Sequence, residues 1–174
     1  MDAFWAKGYE ATSMADLCSC TGLHKGSLYQ AFGDKHALFM NALKHYADSE
    51  FHATTAVLQG LTSPLEIIRT LVNKVCDDAS SERGCMMLNS MVELAPHDPA
   101  VKAAVQAFGV QRMQAVTGMI ADAQQAGEFS VKAEPHKLAR QLMMTMAGGA
   151  AMVKGVLGPE DFKETMSELI DSWV

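Results

Sequence analysis

Apolar residues recur along most of this chain at intervals of three and four positions, the spacing that places them on one face of an α-helix. The segment after Asp34 is a clear example, because Leu38, Phe39, Ala42 and Leu43 share such a face. Asp34 is a favourable N-cap for this helix, which we predict to run to about residue 58. Sustained alternation of apolar and polar residues, which is typical of strands, does not occur. The pattern therefore predicts an all-α protein.

Proline, glycine and capping residues divide the rest of the chain into further helices. Ser63 and Pro64 suit the N-cap and first position of one helix, and Asp98 and Pro99 suit the same positions of another. Gly84 precedes a short segment that is apolar on nearly every side and is expected to be central to the fold. The last three helices are predicted over about residues 99–126, 134–156 and 159–173.

The composition is that of a globular chain that folds throughout its length. Of its 174 residues, 49% are hydrophobic and 20% are charged. Membrane-spanning helices need about 18 or more consecutive apolar residues, and no such run occurs. The start of the chain, MDAFWAKGYE, also lacks the basic and apolar regions of a signal peptide. A cytoplasmic location is therefore predicted.

The four cysteines do not form a metal-binding pattern. They have no CxxC spacing and no histidines at the distances that zinc sites use, and they lie in segments with helical spacing. We predict no metal site and no cofactor. Reduced, partly buried thiols are the favoured interpretation, and a redox- or electrophile-sensing thiol is the alternative.

The net charge of −6 is distributed unevenly along the chain. Residues 1–46 hold four lysines and four acidic residues, so that the whole negative balance lies in residues 47–174. A neutral N-terminal part is compatible with nucleic-acid binding through a local patch, although charge alone does not identify that function.

Residues 8–39 have the pattern of two short helices joined by a tight turn. Thr12 or Ser13 caps the first helix, and Gly22 supplies the turn. The apolar residues expected to face inward are Met14 and Leu17 in the first helix and Leu23, Leu28 and Phe32 in the second. The residues left on the outer face of the second helix are His24, Lys25, Gly26, Ser27 and Gln30. This layout predicts a helix-turn-helix whose second helix enters a major groove of DNA.

The same segment resembles the DNA-binding signature of the tetracycline-repressor (TetR/AcrR) family. The matching pattern is GY-x-x-TS-x-x-x-L-x-x-x-x-GL-x-KGSLY-x-x-F-x-x-K-x-x-LF. The resemblance implies that Thr12 caps the first helix and touches a phosphate, that Lys25 and Ser27 contact the operator, and that Tyr29 and Lys35 contact the DNA backbone. Together with the outer-face residues, the predicted DNA-binding set is Thr12, His24, Lys25, Gly26, Ser27, Tyr29, Gln30 and Lys35.

The rest of the chain resembles this family more loosely, through its helix order and the run RGCMMLNSMVELAPHDPAV at residues 83–101. The resemblance implies a helix-turn-helix DNA-binding domain over residues 1–46 and a helical effector-binding and dimerisation domain over residues 47–174. It further implies a repressor that forms homodimers on double-stranded operator DNA and is released by a small-molecule effector.

Methionine and aromatic residues of the second domain suit an apolar effector, because flexible methionine side chains can reshape a cavity. The predicted effector-binding residues are Phe51, His52, Met86, Met87, Asn89, Met91, Phe108 and Met113, with His52 and Asn89 orienting the ligand. The last two helices are expected to form a four-helix bundle with a partner subunit. The predicted interface residues are Leu142, Met146, Gly149, Met152, Val153, Phe162, Met166, Leu169, Ile170 and Trp173. Burial of these apolar stripes inside one subunit is the alternative.

An enzyme and a ligand-binding or interaction protein are the alternatives to a DNA-binding regulator. An enzyme is disfavoured, because the chain has no GxSxG elbow, P-loop, HExxH or GxGxxG motif and its histidines are scattered. The second alternative is a TetR-like ligand-binding or interaction protein that has lost DNA binding. It arises because the chain opens near the end of the family's first helix, without the basic arm that precedes that helix in family members.

Overall fold

The computed structural model describes residues 1–81 and 83–174, and within these residues it contains nine α-helices and no strand. The all-α prediction is therefore confirmed. The helices are α1 (Asp2–Lys7), α2 (Met14–Thr21), α3 (Lys25–Phe32), α4 (Lys35–Leu58), α5 (Pro64–Ala79), α6 (Met86–Glu93), α7 (Pro99–Gln125), α8 (Pro135–Met152) and α9 (Pro159–Asp171).

Local signals in the sequence account for most of the helix ends. The Ser63 hydroxyl accepts a hydrogen bond from the N–H of Glu66, and Pro64 is the first residue of α5. The carboxylate of Asp34 accepts a hydrogen bond from the N–H of Ala37 at the start of α4. These N-caps were predicted correctly. Helix α8 instead ends at Met152, four residues earlier than expected, and turns follow it.

The described residues divide into two compact units. The first unit comprises Met1–Phe51 and Met86–Gln106, and the second comprises His52–Cys85 and Ala107–Val174. The division falls inside α4 and α7, so that each of these helices contributes to both units. The predicted domain boundary after residue 46 stays a prediction.

Aromatic side chains form much of the core of the first unit. The rings of Phe4 and Phe39 meet edge to face with centroids 5.2 Å apart, and Tyr9 contacts Phe39 in the same way at 5.0 Å. Trp5 packs edge to face on Tyr46 at 5.1 Å. These contacts join α1 to α4, so that the short α1 is held by large buried rings.

The second unit contains a packed group of three helices, α5, α8 and α9. Gly149 of α8 lies directly against the ring of Phe162 of α9, because a Cβ at this glycine would be only 2.1 Å from the ring. The close approach explains why a glycine stands here. At the C-terminus the carbonyl of Trp173 accepts a hydrogen bond from the N–H of Ser130 at 2.7 Å, and its ring packs edge to face on Phe129.

Among the described residues, the helices are all too short or too polar to cross a membrane.

Candidate nucleic-acid interface

Helices α2 and α3 pack on each other and are joined by a turn at Gly22, whose φ of 69° lies in the left-handed region that favours glycine. Leu28 of α3 is 2% exposed and Leu17 of α2 is 3% exposed. The outer-face residues of α3 that the sequence pattern identified are all exposed, namely Lys25, Gly26, Ser27 and Gln30, together with His24 before the helix and Tyr29 within it. The face available to DNA is therefore polar and solvent-accessible.

Two apolar residues depart from the prediction that they bury α3. Leu23 is 45% exposed and Phe32 is 37% exposed. The helix has only eight residues, so that it completes about two turns and presents one narrow apolar stripe to α2. Leu28 near the middle of α3 is buried, whereas Leu23 lies in the turn before α3 and Phe32 is the last residue of the helix.

Thr12 does not have the role that the resemblance implied. Its side chain is fully buried, and its hydroxyl donates a hydrogen bond to the carbonyl of Gly8 at 2.6 Å. A buried hydroxyl that already donates inward cannot contact a DNA phosphate. Ser13 is the N-cap of α2: its hydroxyl accepts from the N–H of Asp16, whose carboxylate accepts from the N–H of Ser13.

The lysines of this region lie in different electrostatic surroundings. Lys7 forms an ion pair with Asp16 at 2.5 Å, and hydrogen bonds from Lys7 and then Ser13 hold the pKa of the Asp16 carboxyl well below its usual range. Lys35 at the start of α4 instead places its ammonium 4.3 Å from the centre of the Tyr9 ring. Lys25 lies 5.7 Å from the ring of Tyr29. Lys25 and Lys35 are thus positively charged groups supported by aromatic faces.

Two acidic residues that the sequence analysis did not assign to this interface contact it within the first unit. Glu93 at the end of α6 accepts hydrogen bonds from the N–H groups of Tyr9 and Glu10 at 3.0 and 2.9 Å. Asp98 Oδ2 lies 2.6 Å from Nε2 of His36. Separations of 84 and 62 residues leave no local spacing signal for either contact. The sequence signal at this loop is the glycine at position 8, which the structure shows with a φ of 81°.

The predicted effector-binding residues differ in burial. Met86 and Met87 are buried, and Asn89, Phe108 and Met113 are half-buried. Phe51 is 64% exposed and Met91 is 46% exposed, and His52 is exposed as well. Because a residue that lines an internal cavity is buried, these three positions depart from the prediction. Thr54 of α4, which the sequence analysis missed, has a buried hydroxyl oxygen with no hydrogen-bond partner among residues 1–81 and 83–174.

The predicted dimer interface also needs correction. Residues of the two stripes that are buried inside the chain itself are Leu142, Phe162, Met166, Ile170 and Trp173. Gly149 faces Phe162 of its own chain. A side chain buried in its own subunit has no surface to offer to a partner, so that these residues hold α9 onto its own subunit. Met146, Met152, Val153 and Leu169 keep accessible surface.

A two-helix unit with a left-handed glycine turn and an exposed polar second helix defines a helix-turn-helix protein of the DNA-binding class. Residues 1–42 match the family described as "Bacterial regulatory proteins, tetR family", and residues 64–169 match "Tetracyclin repressor-like, C-terminal domain". The chain therefore belongs to the TetR family of transcriptional regulators, as the resemblance indicated. Regulators of this family bind operator DNA and act as dimers.

Individual relatives agree with this assignment. The chain is 34% identical over 102 residues to the uncharacterized HTH-type transcriptional regulator YezE of Bacillus subtilis (strain 168), a match that covers 57% of this chain and about half, 53%, of YezE. It is 26% identical over 152 residues to the HTH-type transcriptional repressor ComR of Escherichia coli (strain K12), covering 85% of this chain and 72% of ComR. A solved structure of the TetR family transcriptional regulator CifR, complexed with 26bp double-strand operator DNA, matches with a TM-score of 0.84 and 25% identity over 99% of this chain and 92% of CifR.

Proposed function

We propose that this protein is a transcriptional repressor that binds an operator as a homodimer, with α3 in the major groove. The observation that carries the proposal is the exposed polar face of α3, which is anchored from behind by the buried Leu28. A recognition helix must combine these two properties, because it has to be held rigidly while its polar side chains reach base edges.

The residue types on this face suit base and phosphate contacts. Lys25 can donate to a guanine edge or a phosphate, and Gln30 can form a bidentate pair with adenine. Gly26 lets the backbone approach closely. The hydroxyl of Tyr29, which is 41% exposed, and the ammonium of Lys35 suit the DNA backbone.

A dimer is required because one eight-residue helix reads too few base pairs to select a site alone. We assign the dimer surface to the exposed stripe of α8, where Met144, Gly148 and Met152 recur every four residues. Met144 is 69% exposed and Met152 is 43% exposed, and the glycine between them permits close helix approach. This stripe replaces the buried residues in the interface expected from the sequence.

DNA binding is tested by selection from a library of random duplexes with the purified protein. We expect enrichment of an inverted repeat, with Lys25→Ala and Gln30→Ala each lowering affinity by about tenfold at fixed salt. Lys132→Ala, which removes an exposed lysine of the second unit, is the matched control and should bind like the wild type. No enrichment with a folded dimeric protein would instead favour a ligand-binding protein that has lost DNA binding.

The dimer surface is tested by light scattering on Met144→Glu. We expect a monomer, because a carboxylate within an apolar interface would be buried without a partner. Val131→Glu introduces the same charge at a position that is 78% exposed and should remain dimeric. A dimer that persists in Met144→Glu would place the interface elsewhere.

We further propose that an apolar effector with one hydrogen-bond acceptor binds the second unit near Thr54 and lowers DNA affinity. The support is the buried, unpartnered Thr54 hydroxyl among the described residues, since such a group is costly unless a bound molecule satisfies it. A coupling of about 1–3 kcal/mol would weaken operator binding by roughly 5- to 150-fold.

Thermal-shift screening of lipophilic compounds tests the effector proposal. Thr54→Val preserves the shape of the side chain and removes the hydroxyl. We expect ligands that carry a carbonyl or ether oxygen to lose affinity for Thr54→Val, whereas matched hydrocarbons should bind both proteins equally. Equal binding of the oxygen-bearing ligands, or a bound ligand that leaves DNA affinity unchanged, would contradict this part of the proposal.

A further inference from the structure

The loop between α1 and α2 is held by a carboxylate from a distant part of the first unit. Oε2 of Glu93 accepts a hydrogen bond from the N–H of Tyr9 at 3.0 Å, and Oε1 accepts one from the N–H of Glu10 at 2.9 Å. Hydrogen bonds to an ionised acceptor are roughly twice as strong as neutral ones. One side chain of α6 therefore fixes two successive amides of this loop.

The backbone of the loop is shaped to admit this carboxylate. Gly8 has a φ of +81°, and a Cβ at Gly8 would lie 2.8 Å from Oε2 of Glu93. A side chain at this position would collide with the carboxylate as well as strain the backbone. The Gly8-Tyr9 pair, which belongs to the helix-turn-helix sequence pattern, is thus matched to a glutamate outside that pattern.

The amides held by Glu93 position the ring on which Lys35 lies. The Tyr9 ring contacts Phe39 at 5.0 Å and has His36 at 6.3 Å, and the Lys35 ammonium is 4.3 Å from its centre. A tyrosine ring is neutral near pH 7, and burial, followed by the charges of nearby acids, raises the pKa of the Tyr9 hydroxyl further. A neutral aromatic face attracts the lysine without pairing it, which leaves the ammonium able to donate to a phosphate.

We propose that Glu93 is a positioning residue for DNA binding: it fixes the Tyr9 amide so that the Tyr9 ring aims Lys35 at an operator phosphate. The inference rests on the proposed DNA-binding function and on the Lys35 phosphate contact within it. The positioning role and the charge of Glu93 have opposite expected effects on DNA affinity. Removal of a carboxylate near a DNA-binding surface should by itself strengthen DNA binding, whereas loss of positioning should weaken it.

The test compares operator affinity and its salt dependence in four variants. Glu93→Ala should weaken binding by about tenfold, as should Lys35→Ala. Each variant should also lose about one phosphate contact, as measured by the slope of log affinity against log salt concentration. The double variant should lose no more than Lys35→Ala alone, because Glu93 acts through Lys35. Glu93→Gln, which makes the same charge change but keeps one acceptor oxygen, should be intermediate.

Glu10→Ala is the matched charge control, since it removes a carboxylate from the same loop and leaves the Glu10 N–H in place. Its affinity should equal or exceed that of the wild type. Circular dichroism and light scattering establish that each variant is a folded dimer. If the Glu93→Ala and Lys35→Ala losses are additive, or if Glu93→Ala binds as tightly as Glu10→Ala, the positioning role is overturned.

Amide hydrogen exchange separates this inference from the proposed function. The N–H groups of Tyr9 and Glu10 should exchange faster by about tenfold in Glu93→Ala, with or without DNA. Unchanged exchange in a protein that binds DNA overturns the role of Glu93 alone. Faster exchange with unaltered affinity reduces Glu93 to a structural contact. Failure of the wild type to bind any duplex overturns the proposed function and the positioning role with it.

Discussion

Helices α3 and α9 are held in their units in different ways. Helix α3, with eight residues, buries Leu28 and exposes the side chains around it. Helix α9, with 13 residues, buries Phe162, Met166 and Ile170 to 1% exposure or less. A helix that binds another molecule must keep its binding face exposed to solvent. A helix that belongs to a core instead buries most of one face against its neighbours.

The first unit compensates for the small apolar contact of α3 with hydrogen bonds around α2 and its loop. Ser13 and Asp16 form a capping box, and the Thr12 hydroxyl donates to the carbonyl of Gly8. Each such bond contributes about 1 kcal/mol, against about 3–5 kcal/mol for a buried aromatic side chain. The helix-turn-helix is therefore expected to open locally at lower free energy than the α5, α8 and α9 group.

The largest expected effect is that of Phe162→Ala, which removes a fully buried ring from α9. We expect the free energy of unfolding to fall by about 3–5 kcal/mol, because apolar burial is lost and a cavity remains. Urea titration at a fixed protein concentration measures it. A loss below about 1 kcal/mol, as is usual for surface substitutions, would contradict the view that α9 is anchored by apolar burial more strongly than α3.

Gly149→Ala tests how tightly α8 and α9 pack, because it adds a methyl group at their contact. The new methyl group would lie 2.1 Å from the Phe162 ring, so that α8 and α9 must move apart. We expect a loss of about 1–3 kcal/mol. Gly118→Ala, where no described atom lies within 4 Å of the added carbon, should instead stabilise α7 by up to about 1 kcal/mol. Similar effects of the two changes would argue against a tight α8–α9 contact.

Ser13→Ala probes the hydrogen bonds of the first unit. Loss of the capping box should cost about 1 kcal/mol of local stability. The expected result is faster amide exchange in α2, with the protection of α9 amides unchanged. Ser167→Ala on α9 is the matched control and should leave α2 as in the wild type. Equal loosening of α2 and α9 would mean that the two units do not open separately.

The smallest expected effects are opposite pH dependences in the two units. Hydrogen bonds from the Val101 N–H and then from His36 hold the pKa of Asp98 below its usual value. Stability from this group is therefore present above about pH 4 and is lost as the pH falls further. In the second unit, the hydrogen bond to Asp77 raises the pKa of Lys163, so that its contribution is present below about pH 10 and is lost at higher pH.

Amide exchange in acid and in alkali measures these dependences separately. In Asp98→Asn, the stability measured at first-unit amides should depend less on pH in acid. In Lys163→Met, the stability measured at amides of α5 and α9 should depend less on pH in alkali. If Asp98→Asn leaves the pH dependence of first-unit stability in acid unaltered, other carboxylates such as Asp16 are responsible for it.

Features that depend on neighbouring residues were predicted correctly from the sequence, and features that depend on contacts between distant residues were not. Ser63, Asp34 and Gly22 were assigned correctly because capping bonds and left-handed turns depend on a few neighbouring residues. Thr12 was misassigned, because whether its hydroxyl points outward or toward the Gly8 carbonyl depends on how the loop packs. Glu93 was missed because its partners are more than 80 residues away.

The sequence by itself determined that the chain is helical, where most of its helices begin and end, and that residues 8–39 form a helix-turn-helix of the TetR type. Only the tertiary structure decided that the stripe of Phe162, Met166 and Ile170 lies inside its own subunit, with the accessible stripe of α8 on another face. The physical reason is that helical periodicity reports which face of a helix avoids water, whereas what covers that face depends on contacts between residues far apart in the chain.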